Sequence, residues 1–62
     1  MTSDDLRTWL EHHELTQGGL ARLAGVNRRT ARRWCAGAQP IPTALLGLLE
    51  RATPDEIEDA RG

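Results

Sequence analysis

The sequence predicts an all-α fold, a compact domain of four to five short helices without a strand. Apolar residues recur at the i, i+3, i+4 spacing that marks the buried face of a helix. Several of the segments with this spacing follow capping residues, and the second and third of them end at glycine, which are the usual signals for helix boundaries. The 62 residues are therefore expected to form a single small domain over positions 1–62.

A first helix is predicted to begin at Thr2 or Ser3 and to end near His13. Asp4 and Asp5 fall in its first turn, where negative charge interacts favourably with the helix dipole. Four residues at the i, i+3, i+4 and i+7 positions mark its buried face: Leu6, Trp9, Leu10 and His13.

A second helix is predicted over about Gln17–Ala24, with Thr16 as the capping residue. Gly18 and Gly19 lie inside this helix, where each glycine costs about 0.5–1 kcal/mol relative to alanine. Gly25 follows and supplies the positive φ that a tight turn between two helices requires. The first turn of the second helix is therefore expected to be weakly helical by itself.

A third helix is predicted between Asn27, which can cap its first turn, and Gly37, which can end it. At about 100° per residue, four arginines fall within an arc of roughly 140°: Arg28, Arg29, Arg32 and Arg33. Three core-type residues fall on the opposite arc: Ala31, Trp34 and Cys35. A tight turn followed by an arginine-rich amphipathic helix is typical of proteins that place a helix in the major groove of DNA.

A fourth helix is predicted after a loop at positions 38–41, with Pro42 in its first turn. Thr53 begins a T-P-D-E capping box for a short fifth segment at positions 53–62, which is expected to be a helix or a frayed tail. These two segments carry more apolar surface than one small core needs, so part of it is expected to face a second subunit. The expected dimer interface consists of Leu45, Gly47, Leu48, Leu49 and Ile57.

The distribution of charge favours a polyanionic partner, although the formal net charge is only −1. Positions 15–49 contain no Asp or Glu, and five arginines give this stretch a charge of +5. Positions 1–14 and 50–62 each carry a net charge of −3. A separation of charge of this kind orients a protein on a polyanion.

At these residues the chain resembles the lambda-repressor-like (Xre-type) helix-turn-helix family. Gln17 stands where the family has a polar residue opening the first helix of the motif, and Gly25 stands at the turn glycine. Ala21 matches the small residue at which the two helices cross. The apolar anchor positions of the family are matched by Leu20, Ala24, Val26, Ala31 and Trp34. The motif covers about positions 16–36, within a looser resemblance over about 4–52.

The resemblance implies a lambda-repressor-like DNA-binding domain and a sequence-specific transcriptional regulator. The simplest such protein is a small repressor, of phage or mobile-element type, that binds an inverted-repeat operator in double-stranded DNA as a homodimer. Arg28, Arg29 and Arg33 are expected to contact base edges, and the resemblance implies that Gln17 braces Arg28 or reads a base beside it. The residues expected to contact phosphates are Asn27, Thr30, Arg32 and Gln39.

A protein-interaction module is the alternative function. Small domains of this family also act as antitoxins, and an acidic tail at positions 55–59 can bind a basic partner. In this alternative the apolar and acidic C-terminal third carries the function, either as an adaptor or together with DNA binding. The acid-free arginine helix favours the DNA-binding hypothesis.

Enzymatic, cofactor and metal functions are not expected. The chain has no nucleophile–base pair with an orienting group and no phosphate-binding loop with its lysine. Cys35 is the single cysteine, so no intramolecular disulfide can form. His12 and His13 are adjacent and point about 100° apart on a helix, so they are not expected to share a metal ion. Without a signal peptide or a membrane-length apolar run, the chain is expected to be cytoplasmic.

Overall fold

The computed structural model describes residues 1–61, and all regular secondary structure in this part of the chain is helical. It contains five helices and no strand: α1 Ser3–His12, α2 Gln17–Ala24, α3 Arg28–Ala36, α4 Thr43–Arg51 and α5 Pro54–Arg61. The predicted all-α fold is confirmed, and its radius of gyration is 10.3 Å. Gly62, the last position of the predicted C-terminal segment, lies outside the described residues. No described helix combines the length and the apolar character needed to cross a membrane.

The first two helices begin at the capping residues that the sequence predicts. At α1, the Thr2 hydroxyl accepts from the Asp5 backbone N–H at 3.1 Å, and the Asp5 carboxylate accepts from the Thr2 N–H at 3.0 Å. At α2, the Thr16 hydroxyl accepts from the Gly19 N–H at 3.0 Å. Each bond satisfies a backbone N–H that has no partner within its own helix.

The core lies where the helices meet, with α3 packed against α1 and α2, and with α5 packed against α2. Burial of each large apolar side chain contributes about 1.5–3 kcal/mol to folding. The buried apolar residues are Leu6, Leu10, Leu15, Leu20, Ala21, Ala31, Trp34, Cys35, Leu45, Leu49, Ile57 and Ala60. Every described helix contributes to this cluster, so the motif and its flanking helices share one core.

Three residues predicted to face a second subunit are instead buried within the chain. Leu45, Leu49 and Ile57 are 3%, 5% and 8% exposed, respectively. The expectation that these side chains form surplus apolar surface is therefore wrong. The physical reason is that α5 folds back on α2 and that Leu45 and Leu49 of α4 join the common core. Gly47 and Leu48, the other two residues of the expected interface, are half-buried.

The C-terminal segment is a formed helix rather than a frayed tail. Ile57 and Ala60 are buried, and both lie on the α5 helix that packs against α2. The Thr53 hydroxyl accepts from the Glu56 N–H at 3.2 Å, as the T-P-D-E pattern predicts. The fraying expected from a single large apolar residue does not occur in the described residues, because the small Ala60 adds a second buried position.

The connection between α3 and α4 departs from the prediction at one residue. Gly37 ends α3 with a φ of 76°, as expected for a left-handed terminating glycine. Pro42 has an extended ψ of 148° and is the N-cap of α4 rather than part of its first turn. The fourth helix therefore begins at Thr43, one residue later than the proline.

Candidate nucleic-acid interface

The turn between α2 and α3 is fixed by its backbone. Gly25 has a φ of 71°, in the left-handed region that favours glycine. A Cβ at this position would have no other atom within 4 Å, so the backbone conformation and not a lack of space requires glycine. The Val26 N–H donates to the Ala21 carbonyl at 3.0 Å and closes the turn.

The start of α3 is fixed by Asn27. Its Oδ1 accepts from the Thr30 backbone N–H at 2.8 Å and from the Thr30 hydroxyl at 3.0 Å. The predicted cap is confirmed. The Thr30 hydroxyl is oriented by this bond to Asn27, so it can donate to a phosphate, as the sequence predicts, only if it gives up the bond.

The two faces of α3 separate as the sequence predicts. Ala31, Trp34 and Cys35 are 0%, 4% and 1% exposed, and they anchor the helix in the core. All four arginines of the helix are exposed: Arg28, Arg29, Arg32 and Arg33. The ion pairs within residues 1–61 join Arg7 to Asp4 and Arg61 to Glu14, so neither involves an α3 arginine. We call these four side chains the arginine face.

The first two of these arginines oppose local helix stability, whereas Arg33 lies in the last turn, where a cation is favourable. Arg28 and Arg29 occupy the first turn of α3, which contains no acidic residue. The N-terminus of a helix carries a partial positive charge, so cations there are unfavourable and anions are favourable. Arg28 and Arg32, like Arg29 and Arg33, are also like-charged pairs at i, i+4, each of which destabilises a helix by about 0.2–0.5 kcal/mol. A bound polyanion would reverse the sign of these interactions.

The structure brings the N-terminal ends of α2 and α3 together. A Cβ placed on Gly18 would lie 3.2 Å from Arg28 Nη2 and 3.4 Å from Arg28 Nε. The Arg28 guanidinium therefore rests against α2, beside the exposed Gln17. The sequence does not predict this contact, and its only signal there is a pair of glycines at helix-interior positions.

Gln39 lies away from this junction. It is half-buried in the loop after α3 and lines a cleft of about 310 Å³ with Ser3, Trp34 and Ile41. This cleft is at the C-terminal end of α3, about 13 Å along the helix axis from its first residue. The structure therefore places Gln39 at the end of the arginine face opposite to Gln17.

The remaining chemistry-bearing side chains lie outside the arginine face. Burial raises the pKa of the Cys35 thiol, an effect that the positive charge of Arg7 opposes. The His13 ring packs on Trp9, with centroids 4.3 Å apart, and meets His12 edge-on at 5.0 Å. Among residues 1–61, no three His, Cys, Asp or Glu side chains are grouped closely enough to hold a metal ion.

In comparisons with known proteins, the chain matches no family model, no curated protein and no solved structure. The geometry and electrostatics of its own residues therefore carry the functional proposal.

Proposed function

We propose that this chain is a sequence-specific DNA-binding transcriptional regulator with a lambda-repressor-like fold, and that it acts as a small repressor. The observation that carries this proposal is the arginine face, four exposed cations on a helix of nine residues. This face lacks carboxylate partners among the described residues, follows a tight glycine turn and places two cations in the first turn of its own helix, where they are unfavourable.

In this proposal, α3 enters the major groove with its N-terminal end leading. Arg28 and Arg29 reach base edges first, and Arg33 follows one turn later on the same face. Arginine suits this function because its guanidinium donates two parallel hydrogen bonds to guanine O6 and N7. Arg32 and the backbone N–H groups at the start of α2 contact phosphates.

Repression follows from occupancy by a homodimer. One reading helix covers too few base pairs to define a unique site, and two-fold pairing doubles the contacts at a half-site spacing of about 34 Å. Because Leu45, Leu49 and Ile57 are buried, the outer surface of α4 is the remaining candidate for the interface. There, Leu48 lines a shallow apolar pocket of about 200 Å³ together with Val26.

Selection of duplexes from a random library, followed by fluorescence anisotropy, tests the DNA-binding proposal. We expect Arg29→Ala to weaken binding to the selected sequence by about 1–3 kcal/mol and to weaken binding to random DNA less. Arg32→Ala should reduce the slope of log affinity against log salt by about one. Arg7→Ala is the matched control, because it removes one exposed arginine from α1 and should change binding little.

Four outcomes would count against this proposal. Absence of binding to any duplex at low salt would exclude it, and absence of sequence enrichment would reduce it to non-specific binding. Equal losses for Arg29→Ala on both DNAs would make that residue a phosphate contact. Capture of a basic protein through the acidic α5 helix, without DNA affinity, would favour the interaction-module alternative.

Light scattering with and without the selected DNA tests the homodimer. We expect Leu48→Glu to weaken dimerisation and operator binding, because a charge cannot be buried at an apolar interface without a partner. Circular dichroism must show that the variant stays folded, since Leu48 also packs against the core of its own chain. A wild-type monomer at micromolar concentration that protects only a single half-site would exclude the homodimer but leave DNA recognition by α3 intact.

A further inference from the structure

The two glycines of α2 have different environments. A Cβ on Gly19 would lie 2.9 Å from the Ala60 carbonyl oxygen and 3.2 Å from Leu15 Cδ2. The carbonyl belongs to the backbone of α5 and cannot move away without shifting that helix. Close packing of α2 and α5 therefore accounts for glycine at position 19.

Gly18 has no such explanation. The three atoms nearest to a Cβ placed at this position are Nη2, Nε and Cζ of Arg28, at 3.2, 3.4 and 3.6 Å. All three belong to the end of a flexible, exposed side chain, which could move aside. Gly18 also lacks the positive φ that would require glycine, since this occurs only at Gly25 and Gly37 among the described glycines. Helix propensity alone would favour alanine at this position.

We propose that Gly18 is a positioning residue for Arg28. The missing side chain leaves a slot on the surface of α2, and the Arg28 guanidinium lies in this slot, against the α2 backbone. The slot restricts the rotamers of an arginine that would otherwise lose this freedom on binding DNA. This inference rests on the proposed DNA-binding function, and it assigns part of the affinity to a residue that need not touch DNA.

Two substitutions of increasing size test the slot. Gly18→Ala requires the guanidinium to shift by a few tenths of an ångström, and Gly18→Leu fills the slot with a good helix former. We expect Gly18→Ala to raise the melting temperature by about 2–8 °C through helix propensity. We also expect it to weaken operator binding about two- to tenfold, and Gly18→Leu to weaken binding further.

Two controls separate positioning from general effects. In an Arg28→Ala background, both Gly18 substitutions should leave affinity unchanged, because no guanidinium remains to be positioned. Thr8→Ala, at an exposed position within α1, should also stabilise a helix but should not change DNA affinity. If any gain in stability lowered DNA affinity, Thr8→Ala would lower it as well.

Nuclear magnetic resonance of the Arg28 Nε–Hε group provides a readout without DNA. Its heteronuclear Overhauser effect should indicate an ordered side chain in the wild-type protein and a mobile one in Gly18→Leu. If the wild type binds no DNA, the proposed function fails while this measurement still tests the slot. If Gly18→Leu does not fold, Gly18→Ala with its Arg28→Ala partner remains decisive.

Two results would overturn the inference while leaving DNA binding intact. One is unchanged operator affinity in both Gly18 variants. The other is an equal loss in the Arg28→Ala background, which would mean that the glycine itself allows close approach of the DNA backbone.

Discussion

The third and fifth helices are built alike but carry opposite charge. Each is short, with nine residues in α3 and eight in α5, and each has a narrow apolar face in the core. The exposed face of α3 is the arginine face. The exposed face of α5 carries four carboxylates: Asp55, Glu56, Glu58 and Asp59. The two helices therefore differ in how a run of like charge affects the stability of the helix that carries it.

The two helices differ in the charge of their first turns, because α5 begins with two acids and α3 with two arginines. Asp55 and Glu56 lie in the first turn of α5 and Arg61 lies in its last turn, so all three charges interact favourably with the helix dipole. The Arg61 guanidinium also donates to the Glu14 carboxylate at 3.1 Å, which links α5 to the segment between α1 and α2. In α3, two arginines occupy the first turn, against the dipole. Local stability therefore accounts for the two acids in the first turn of α5 but not for the two arginines in the first turn of α3, which is why the arginine face supports the proposed polyanionic ligand.

Removal of the anchor of either helix should have the largest effects on stability. Trp34→Ala removes an indole that is 4% exposed and should cost about 3–5 kcal/mol, comparable to the whole stability of a domain of this size. Ile57→Ala should cost about 2–5 kcal/mol and detach α5 first. Urea unfolding followed by circular dichroism measures both free energies. A larger loss for Ile57→Ala would show that α5, and not α3, holds the core together.

The helix boundaries could be predicted from sequence because they depend on local chemistry. Thr16 and Asn27 cap with their own side chains, and Gly25 and Gly37 adopt the positive φ that few other residues tolerate. The separation of the arginine face from Trp34 likewise follows from helical periodicity alone. The composition of the candidate site was predictable for the same reason.

The contacts made by α5 could not be predicted in this way. Its docking on α2 depends on a glycine and an alanine 41 positions apart, Gly19 and Ala60, neither of which has a strong apolar signature. Because the sequence does not reveal that contact, it predicts Ile57 to be part of an interface with a second subunit. The Arg28–Gly18 contact is unpredictable for a similar reason. It joins the N-terminal ends of two helices, and it forms only because position 18 has no side chain.

Exchange of charge between the two first turns should produce a smaller effect on stability. Arg29→Glu gives α3 an acid in its first turn, as in α5, and should stabilise the fold by about 0.3–1 kcal/mol. It should also abolish DNA binding. The mirror variant Asp55→Arg should destabilise by a similar amount. Urea unfolding at low salt measures both, and both effects should shrink at about 1 M salt. A loss of stability in Arg29→Glu would mean that the arginine contributes to the fold, which would weaken the functional interpretation.

The caps extend this comparison to pH and give the smallest expected effect. The cap of α3 is the amide of Asn27, which does not titrate, whereas the α1 cap includes the Asp5 carboxylate. The hydrogen bond donated by the Thr2 backbone N–H lowers the pKa of Asp5, and the Thr2 side chain adds to this. Because the folded pKa is the lower one, the contribution to stability is present above about pH 4 and is lost as pH falls through the lowered value.

Amide hydrogen exchange at acidic pH should detect this difference between the caps. Below about pH 4, protection of the first-turn amides of α1 should fall relative to that of the Thr30 amide, which Asn27 holds at every pH. In Asp5→Asn the Thr2 cap should lose its own pH dependence, because the amide can still accept from the Thr2 N–H but has no charge to lose, while Asp4 remains in the first turn. An equal loss of amide protection in the first turns of α1 and α3 of the wild type would instead indicate global acid unfolding driven by the other carboxylates. The Thr2–Asp5 cap would then make no separate contribution.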